Sequence, residues 1–274
     1  MRHLRAHVAV AAKYRAAVRP KAGSPQAVEL QTWLGNQPSK LAELLLMSAD
    51  FHLLTLAVAL ATDELYPLGG YTLIRGAAEP AARAAWLVDP DVSGKVRRAR
   101  VLVERLNSLQ ERRKFKNQRR GADDRIKVLI KDAESLGHRL VRDKKTNQPS
   151  HFGQPRTSAT TLFGQLLPDI AGPEADATGT ALYRLLSGFT HSVPWALLAQ
   201  AATFPGEEPG SKWARVELRP AWLLAMLEQA LRLYDIAHRR LASQIGEGPT
   251  AWNDLLKTLP AAPDARRLLA KPRR

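Results

Sequence analysis

The sequence predicts an all-α fold, a bundle of five to six long helices with a long connection before the helix that carries Arg184 and His191. Apolar residues make up 45% of the chain and aromatic residues only 6%, and Ala and Leu dominate the apolar set. This composition favours helix over sheet. Apolar residues recur at helical spacing through several long segments, and no segment alternates convincingly with a period of two. No repeat of about 20–50 residues is present, which argues against a solenoid.

The 274-residue chain divides into three predicted parts, which are a basic N-terminal arm (1–37), a helical bundle domain (38–246), and a short helix with a basic tail (247–274). His3 and His7 in the arm are four residues apart, a spacing that suits two metal ligands on a helix. No third ligand lies nearby in the sequence. We therefore expect the arm to be disordered or to cap the bundle, and we predict no metal and no cofactor.

Charge and cysteine content restrict the possible functions. The chain has no cysteine, which excludes disulfides, a thiol nucleophile and a cysteine-ligated metal. Its formal net charge is +15. This charge indicates either a polyanionic partner, with nucleic acid before an anionic membrane surface, or a coding bias toward Arg. Residues 1–21 lack the apolar core of a signal peptide, so we expect a cytoplasmic protein.

The first strong helix of the bundle is predicted over 38–63, with Ser39 as its N-cap. Its apolar face is wide, and its length approaches that of a membrane span. Three polar residues interrupt the apolar span: Glu43, Asp50 and His52. Because such groups are costly inside a bilayer, we predict a buried helix of a soluble protein and no membrane span.

The second helix is predicted from Tyr66 to the turn at Asp89. Arg75 and Glu79 are four residues apart and can pair across one turn. Pro80 removes a backbone donor and disfavours helical geometry at the residue before it. We therefore expect a kink or a restart at Pro80, and the Arg–Glu pair lies either in a buried polar cluster or on the surface.

The third helix is predicted to begin after Ser93 and to contain the most basic segment of the chain. Its outer face is expected either to follow a phosphate backbone or simply to be solvated. Phe115 is the only aromatic residue among these charges, so a base-stacking platform is not indicated. The candidate nucleic-acid-binding residues are Arg97, Arg98, Arg105, Arg112, Arg113, Lys114, Lys116, Arg119 and Arg120.

A fourth helix follows, with Asp123 or Asp124 as its cap. The next segment, 143–179, is rich in Pro and Gly and is predicted to be a long connection with a short helix at 160–167. Connections of this length are usually functional or mobile, so we expect it to form a lid or a rim.

The last part of the chain is predicted to hold two long helices and one short helix. The first runs over 174–202 with a kink at Pro194, and a Pro- and Gly-rich connection occupies 203–218. The second runs over 220–245, since Pro220 suits a first helical turn. Trp252 marks the short terminal helix, and the basic tail after it is expected to fray.

The helix before Pro194 carries the only candidate chemistry. Arg184 and His191 are seven residues apart, which places them on one helix face about 10 Å apart. Gly188 between them suggests a bend or a close approach of another backbone. The chain has no Gly-rich phosphate loop, no Gly-x-Ser-x-Gly, no His-Glu-x-x-His and no acidic cluster at metal spacing. Nucleotide hydrolysis and redox-cofactor binding are therefore not supported.

Residues 183–192, Tyr-Arg-Leu-Leu-Ser-Gly-Phe-Thr-His-Ser, surround this pair. The stretch resembles the HEPN superfamily of helical bundles, whose hallmark is Arg-x4–6-His on a late helix, and six residues separate Arg184 from His191. It is also similar to the Tyr-x-x-Leu-Ser-x-x-x-His stretch of uncharacterised bacterial helical proteins. An earlier helix of those proteins carries an Arg-x-x-x-Glu phrase, which Arg75 and Glu79 match here.

The resemblance implies a metal-independent endoribonuclease, often a toxin or phage-defence effector, that acts on RNA as a homodimer. By this resemblance His191 would deprotonate the ribose 2′-hydroxyl, and Arg184 would stabilise the pentacoordinate phosphate. The supporting polar cluster would comprise Arg75, Glu79, Tyr183 and Ser187.

Two other interpretations of the same residues stay open. In one, Arg184 pairs with Glu79 and His191 caps a buried network, so that the cluster is structural. In the other, the protein is a non-catalytic module that binds nucleic acid or a protein partner through its basic third helix.

Overall fold

Long helices form where the sequence repeats apolar residues every three to four positions, and the fold is all-α as predicted. The computed structural model describes residues 2–32, 37–61, 67–168, 179–198, 201–205, 212–216, 220–248 and 250–259. The helices of the first half are α1 (Arg2–Ala17), α2 (Pro25–Glu29), α3 (Gln37–Ala59), α4 (Pro67–Leu87), α5 (Gly94–Arg113) and α6 (Arg119–Ser135). Those of the second half are α7 (Ala159–Leu166), α8 (Gly179–Thr190), α9 (Pro194–Leu198), α10 (Pro220–Gln244) and α11 (Ala251–Lys257). Two antiparallel hairpins complete the described elements: β1 (Val141–Arg142) with β2 (Pro149–His151), and β3 (Ala201–Pro205) with β4 (Lys212–Val216).

Helix α4 lies at the centre of the main core. It packs against α3 on one side and α10 on another, and α7 and α8 also contact it. Its residues 81–87 are all buried, and four of these seven are Ala, which lets the neighbouring helices approach closely. Tyr71 stacks on Phe189 of α8 with ring centroids 4.3 Å apart. The helix does not restart at Pro80, which lies inside one continuous element.

The N-terminal segment is a packed helix, so the alternative in which the arm is disordered is wrong. Leu4, Val8 and Ala11 are buried in the main core, and α1 packs along α3. The apolar residues of α1 therefore recur on the face that meets α3. His7 Nε2 lies 2.9 Å from Oδ1 of Asp235 on α10, so its partner is a carboxylate.

Helices α5 and α6 form a second, smaller core with the first hairpin. Leu102, Leu106 and Phe152 are among its buried residues. Ser93 caps α5 as predicted, since its hydroxyl accepts from the backbone N–H of Val96. The next helix begins at Arg119, several residues before the predicted caps Asp123 and Asp124. It starts early because the 3₁₀ helix Lys116–Gln118 leads directly into it.

The chain between α6 and α10 is more broken than predicted. The short helix inside the long connection is present as α7, capped by the Ser158 hydroxyl. The prediction of one helix through residue 202 is wrong, because α8 ends at Thr190 and α9 starts only at Pro194. Ser192 between them has a φ of 52°, a left-handed conformation that ends a helix. The predicted stretches 174–178 and 199–200 lie outside the described residues.

Two further predictions concern the C-terminal part. The long last helix and the short helix around Trp252 are confirmed as α10 and α11, and Trp252 is fully buried. The second hairpin occupies part of the predicted connection 203–218, where its strands were too short to give a clear alternating pattern. The basic tail, from residue 260 onward, lies outside the described residues.

Among the described helices, α3 has the length and composition that a membrane span requires. Its most apolar window has a mean hydropathy of 1.6, and 39% of that window is buried inside the protein. Asp50 in this helix is buried and pairs with Arg15 of α1. The inward face of α3 thus belongs to the core, whereas Leu44, Phe51 and Val58 on its outward face are exposed.

Candidate functional site

The candidate site begins at the C-terminal end of α8, where His191 is exposed to solvent. Its backbone N–H donates to the carbonyl of Ser187 at 3.0 Å, which completes the last helical bond. The chain then turns sharply at Ser192, and the N–H of Val193 returns to the carbonyl of Gly188 at 2.8 Å. Because α8 ends here, the imidazole lies at the end of the helix and is accessible to solvent.

Arg75 of α4 is the residue that meets His191. Its Nη1 lies 3.2 Å from His191 Nε2, while its Nη2 donates to the Tyr183 hydroxyl at 3.1 Å. The same Nη2 lies 3.3 Å from Oε2 of Glu79, and the guanidinium sits 5.4 Å from the centre of the Tyr183 ring. The Tyr183 hydroxyl in turn donates to Glu79 at 3.5 Å. Three of the four predicted supporting residues therefore meet around the predicted histidine.

This contact fixes the tautomer of the histidine. A guanidinium can donate hydrogen bonds and cannot accept them. In the contact with Arg75, the Nε2 atom of His191 must therefore be the acceptor, and the ring proton of the neutral imidazole sits on Nδ1. The lone pair on Nε2 is engaged by Arg75 here, and it becomes available to take a proton, as a general base does, when Arg75 turns to another acceptor.

Arg184, the predicted partner of His191, occupies a different environment. Its side chain is exposed and makes no hydrogen bond or ion pair with any residue that the structure describes. Glu79 pairs with Arg75 instead, so the structural interpretation in which Arg184 pairs with Glu79 is wrong. Ser187 is half-buried, and its contribution to the site is the backbone carbonyl that holds His191.

A cleft of about 430 Å³ opens beside this cluster, between α3, α4 and α5. Besides Arg75 and Glu79, its charged lining residues are Arg83, Glu104 and Arg156. Arg83 is buried, pairs with Glu104 at 3.1 Å and donates to a backbone carbonyl at 2.6 Å. Arg156 also pairs with Glu104, at 3.1 Å. Three guanidinium groups against two carboxylates leave the cleft with one excess positive charge.

His52 of α3 forms another part of the cleft wall. It is half-buried, and its ring lies directly against Gly76 of α4. A Cβ atom at Gly76 would lie 2.6 Å from ring atoms of His52, so only glycine permits this approach. The two helices thus come into contact in the cleft wall, at the residue that follows Arg75.

Sequence reasoning missed Arg83, Arg156 and His52 as lining residues. A signal for Arg83 was present, since Arg75, Glu79 and Arg83 recur every four residues and so share one face of α4. No such signal marks Arg156, because it lies in the irregular segment after β2 and only the fold brings it to Glu104.

The predicted nucleic-acid-binding residues divide into two groups. Arg97 is buried and is held by Glu29 of α2 through its Nε at 3.0 Å, and its Nη1 donates to the carbonyl of Asp89 at 2.9 Å. Arg97 therefore cannot contact a phosphate backbone, and its assignment to the outer face is wrong. Arg98 is half-buried, and Arg105 is exposed at the edge of a second cleft between α3, α5 and α6.

The other members of the set lie at the corner where α5 meets α6. Arg113 pairs with Asp123 at 2.6 Å, and Lys114 pairs with Glu111 at 2.7 Å. Arg112 donates to the side-chain oxygen of Gln118 at 3.1 Å. Three remaining cations are exposed and lie around one surface depression, which Asp123, Asp124 and Lys127 also line: Lys116, Arg119 and Arg120.

Within the described ranges, no group of three or more His, Asp or Glu side chains is placed to hold a metal ion. Comparison of the chain with protein-family models, with curated proteins and with solved structures found no match. The site is therefore interpreted from its own geometry and chemistry.

Proposed function

We propose that the protein is a metal-independent ribonuclease in which His191 is the general base and Arg75 binds the scissile phosphate. One observation carries this proposal: an exposed imidazole accepts a hydrogen bond from a guanidinium beside a cleft with excess positive charge. The cleft volume of about 430 Å³ lies within the range of about 300–1,000 Å³ that is usual for small-ligand sites.

The reaction would proceed by transfer within the RNA chain. His191 Nε2 takes the proton from a ribose 2′-hydroxyl, and the 2′-oxygen bonds to the adjacent phosphorus. The bond from phosphorus to the 5′-oxygen breaks, this oxygen takes up a proton from water as it leaves, and His191 returns its proton to water. The products are a 2′,3′-cyclic phosphate and a 5′-hydroxyl end, so no metal or cofactor enters the balance.

Arg75 has two roles in this scheme. In the free protein its Nη1 occupies the lone pair of His191 Nε2. A phosphate oxygen would replace the imidazole as the acceptor, which frees the base at the moment when the substrate binds. Glu79 and the Tyr183 hydroxyl hold the other side of the guanidinium and keep it aimed at the phosphate. The resemblance assigns the phosphate to Arg184, whereas the contacts around His191 favour Arg75.

The test is a cleavage assay on total RNA and transfer RNA in EDTA, with wild type beside three variants. His191→Ala is expected to abolish cleavage while leaving RNA affinity nearly intact. Arg75→Ala is expected to lower the rate by about 10²–10³-fold, the usual loss for one donor to a developing anion. Arg184→Ala is the matched control, an exposed arginine on the helix that carries the base, and it should retain activity.

The products and the variants together decide the outcome. Cleavage that leaves 2′,3′-cyclic phosphate ends and disappears in His191→Ala supports the proposal. Absence of cleavage by wild type at high protein concentration counts against it. If Arg184→Ala loses activity and Arg75→Ala keeps it, the base has the role proposed here but the phosphate is bound by the other arginine.

A second candidate function is non-catalytic binding of nucleic acid, and it has its own observation. Lys116, Arg119 and Arg120 are exposed together at the corner of α5 and α6 and line one surface depression. Exposed cations grouped on one surface can neutralise the phosphates of a nucleic acid of any sequence. Reversing the three charges would then remove RNA binding, whereas His191→Ala would change nothing.

A further inference from the structure

The cleft between α3, α5 and α6, here called the α5–α6 cleft, has a volume of about 620 Å³. Apolar side chains from all three helices line it: Leu41, Leu45, Leu109, Val128 and Leu129. Val128 is 59% exposed, so part of this apolar lining is in contact with solvent. Clefts of about 300–1,000 Å³ that combine apolar walls with a few polar groups are typical small-molecule sites.

The charged residues of the α5–α6 cleft do not balance one another. Two carboxylates line it, those of Glu104 and Asp132. Glu104 is already paired with Arg83 and Arg156, each at 3.1 Å, and these two arginines line the cleft beside His191. Asp132 is thus the one carboxylate left among the described lining residues to balance three arginines. These arginines are Arg105, Arg112 and Arg125.

The positive charge is concentrated at the end of the cleft where α5 turns into α6. Arg113 pairs with Asp123 across this turn at 2.6 Å, and the two helices run antiparallel from it. In this register Arg112 and Arg125 lie nearly level with each other, close to the turn. Asp132 lies seven residues farther along α6, which is about 10 Å away. One end of the cleft therefore presents two guanidinium groups, and the carboxylate belongs to the other end.

Arg112 and Arg125 are both available to an anion. Arg112 donates from Nε to the side-chain oxygen of Gln118 at 3.1 Å, and this partner is neutral. Arg125 is exposed and makes no hydrogen bond or ion pair with any residue in the described ranges. Guanidinium groups bind carboxylate and phosphate oxygens through paired, charge-assisted hydrogen bonds. An anionic head group placed between these two arginines would have apolar side chains beside it.

The lining suits an amphiphile better than a nucleic acid. Among the residues that the structure describes, no aromatic side chain lines the cleft. Single-stranded nucleic acids are held largely by stacking of their bases on aromatic rings, which this lining does not offer. A hydrocarbon tail, in contrast, would remove the exposed apolar lining from water at no cost in hydrogen bonds.

We propose that the α5–α6 cleft binds one molecule of an amphiphile that has an anionic head group, a carboxylate or a phosphate, and a hydrocarbon tail. The head group binds between Arg112 and Arg125, and the tail follows Leu109 and Val128 away from the turn. The lining part of α5, residues 104–112, is about 12 Å long, which suits a tail of medium length. The proposal is independent of the ribonuclease activity, because the cleft contains none of the residues that contact His191.

The first test is isothermal titration calorimetry of the full-length protein with dodecanoate and with dodecyl phosphate, each below its critical micelle concentration. Binding of one molecule per chain is expected for at least one of the two, and their relative affinities show which head group the arginines prefer. Butyrate has the same head group as dodecanoate but a shorter tail, and it should bind on the order of 100-fold more weakly. Dodecyltrimethylammonium has the same tail but a positive head group, and it should not bind.

Single substitutions locate the bound molecule. Arg112→Ala and Arg125→Ala should each weaken dodecanoate binding by about tenfold, because each removes a charge-assisted hydrogen bond. Val128→Glu places a negative charge in the path of the tail and should abolish binding. Arg139→Ala is the matched control, since Arg139 is an exposed arginine shortly after α6 that does not line the cleft, and its affinity should equal that of wild type. Thermal unfolding of the four variants checks that each keeps the fold.

A charge reversal tests the position of the head group. The double variant Arg112→Glu with Arg125→Glu should lose affinity for dodecanoate and gain affinity for dodecyltrimethylammonium, since the same tail would now carry a head group of complementary charge. A double variant that still prefers dodecanoate would refute the assigned position.

Three other outcomes would overturn the proposal. In the first, wild type binds dodecanoate and dodecyl phosphate no more tightly than butyrate. In the second, Arg139→Ala weakens binding as much as Arg125→Ala, which would show a general attraction of anions to a basic protein. In the third, wild type does not bind the monomeric amphiphiles but binds poly-uridine or phosphatidylglycerol vesicles in a way that depends on Arg112 and Arg125. The cleft would then be part of a nucleic-acid or membrane surface.

Discussion

His238 is predicted to make the stability of the fold depend on pH. It is fully buried on α10, where its ring stacks on Trp252 with centroids 4.3 Å apart. Its Nδ1–H donates to the carbonyl of Tyr234 at 2.8 Å, and its Nε2 accepts from Nη1 of Arg15 at 2.7 Å. Both ring nitrogens are thus satisfied in the neutral form. A proton on Nε2 would face the guanidinium that now donates to it.

Burial is the main cause that lowers the pKa of His238 from 6.5 to about 3, and the charge of Arg15 lowers it further. Asp50 and Tyr234 face the same guanidinium, and His7 lies nearby. Because the folded pKa lies below the unfolded one, the unfolded chain takes up a proton that the folded chain refuses. The contribution to stability is complete above about pH 6.5 and is lost as the pH falls. Its slope is about 1.4 kcal/mol per pH unit between about pH 6 and pH 4.

The measurement is urea unfolding at several pH values for wild type and His238→Gln, whose side chain does not titrate. We expect the wild-type free energy of unfolding to fall more steeply with acidification than that of the variant, by the slope given above. His3→Gln is the matched control, since His3 lies on α1 and is only half-buried, and it should keep the wild-type slope. Equal slopes for wild type and His238→Gln would refute the reasoning.

Two further substitutions test packing. Glu29→Ala leaves the buried guanidinium of Arg97 without its carboxylate and should cost about 3–5 kcal/mol in urea unfolding, whereas the apolar pair Glu29→Leu with Arg97→Met should recover most of it. A Glu29→Ala variant with the same free energy of unfolding as wild type would contradict this. Gly76→Ala places a Cβ 2.6 Å from His52 and should cost about 1–3 kcal/mol. Gly69→Ala, in the same helix with nothing within 4 Å, should be neutral or slightly stabilising in thermal unfolding, so equal losses in both would disprove the close approach.

Much of the fold could be predicted from the sequence, because helical periodicity is a local property. The long helices α3, α4, α5 and α10 lie where apolar residues recur at helical spacing, and Ser93 caps α5 as its side chain predicts. Predictions from local sequence were wrong at the ends of helices. Ser39 lies inside α3 and does not cap it, and the left-handed turn at Ser192 ends α8 before the proline that was expected to bend it.

The candidate site was predicted in part. The sequence identified His191, Tyr183, Arg75 and Glu79, and the structure brings these four together. It did not identify Arg75 as the partner of His191, because the two residues lie 116 positions apart in the chain.

The sequence by itself determined which residues form helices and which side of each helix is apolar. Only the tertiary structure decided which helices meet, and therefore which charges are paired. In the sequence Arg97 looks like one more cation of a basic face, but α2 places Glu29 against it. Phe51 looks like a core residue of α3, but it is exposed to solvent. Periodicity determines the direction in which a side chain points from its helix axis. The residue that it contacts depends on packing between distant segments, which no local pattern records.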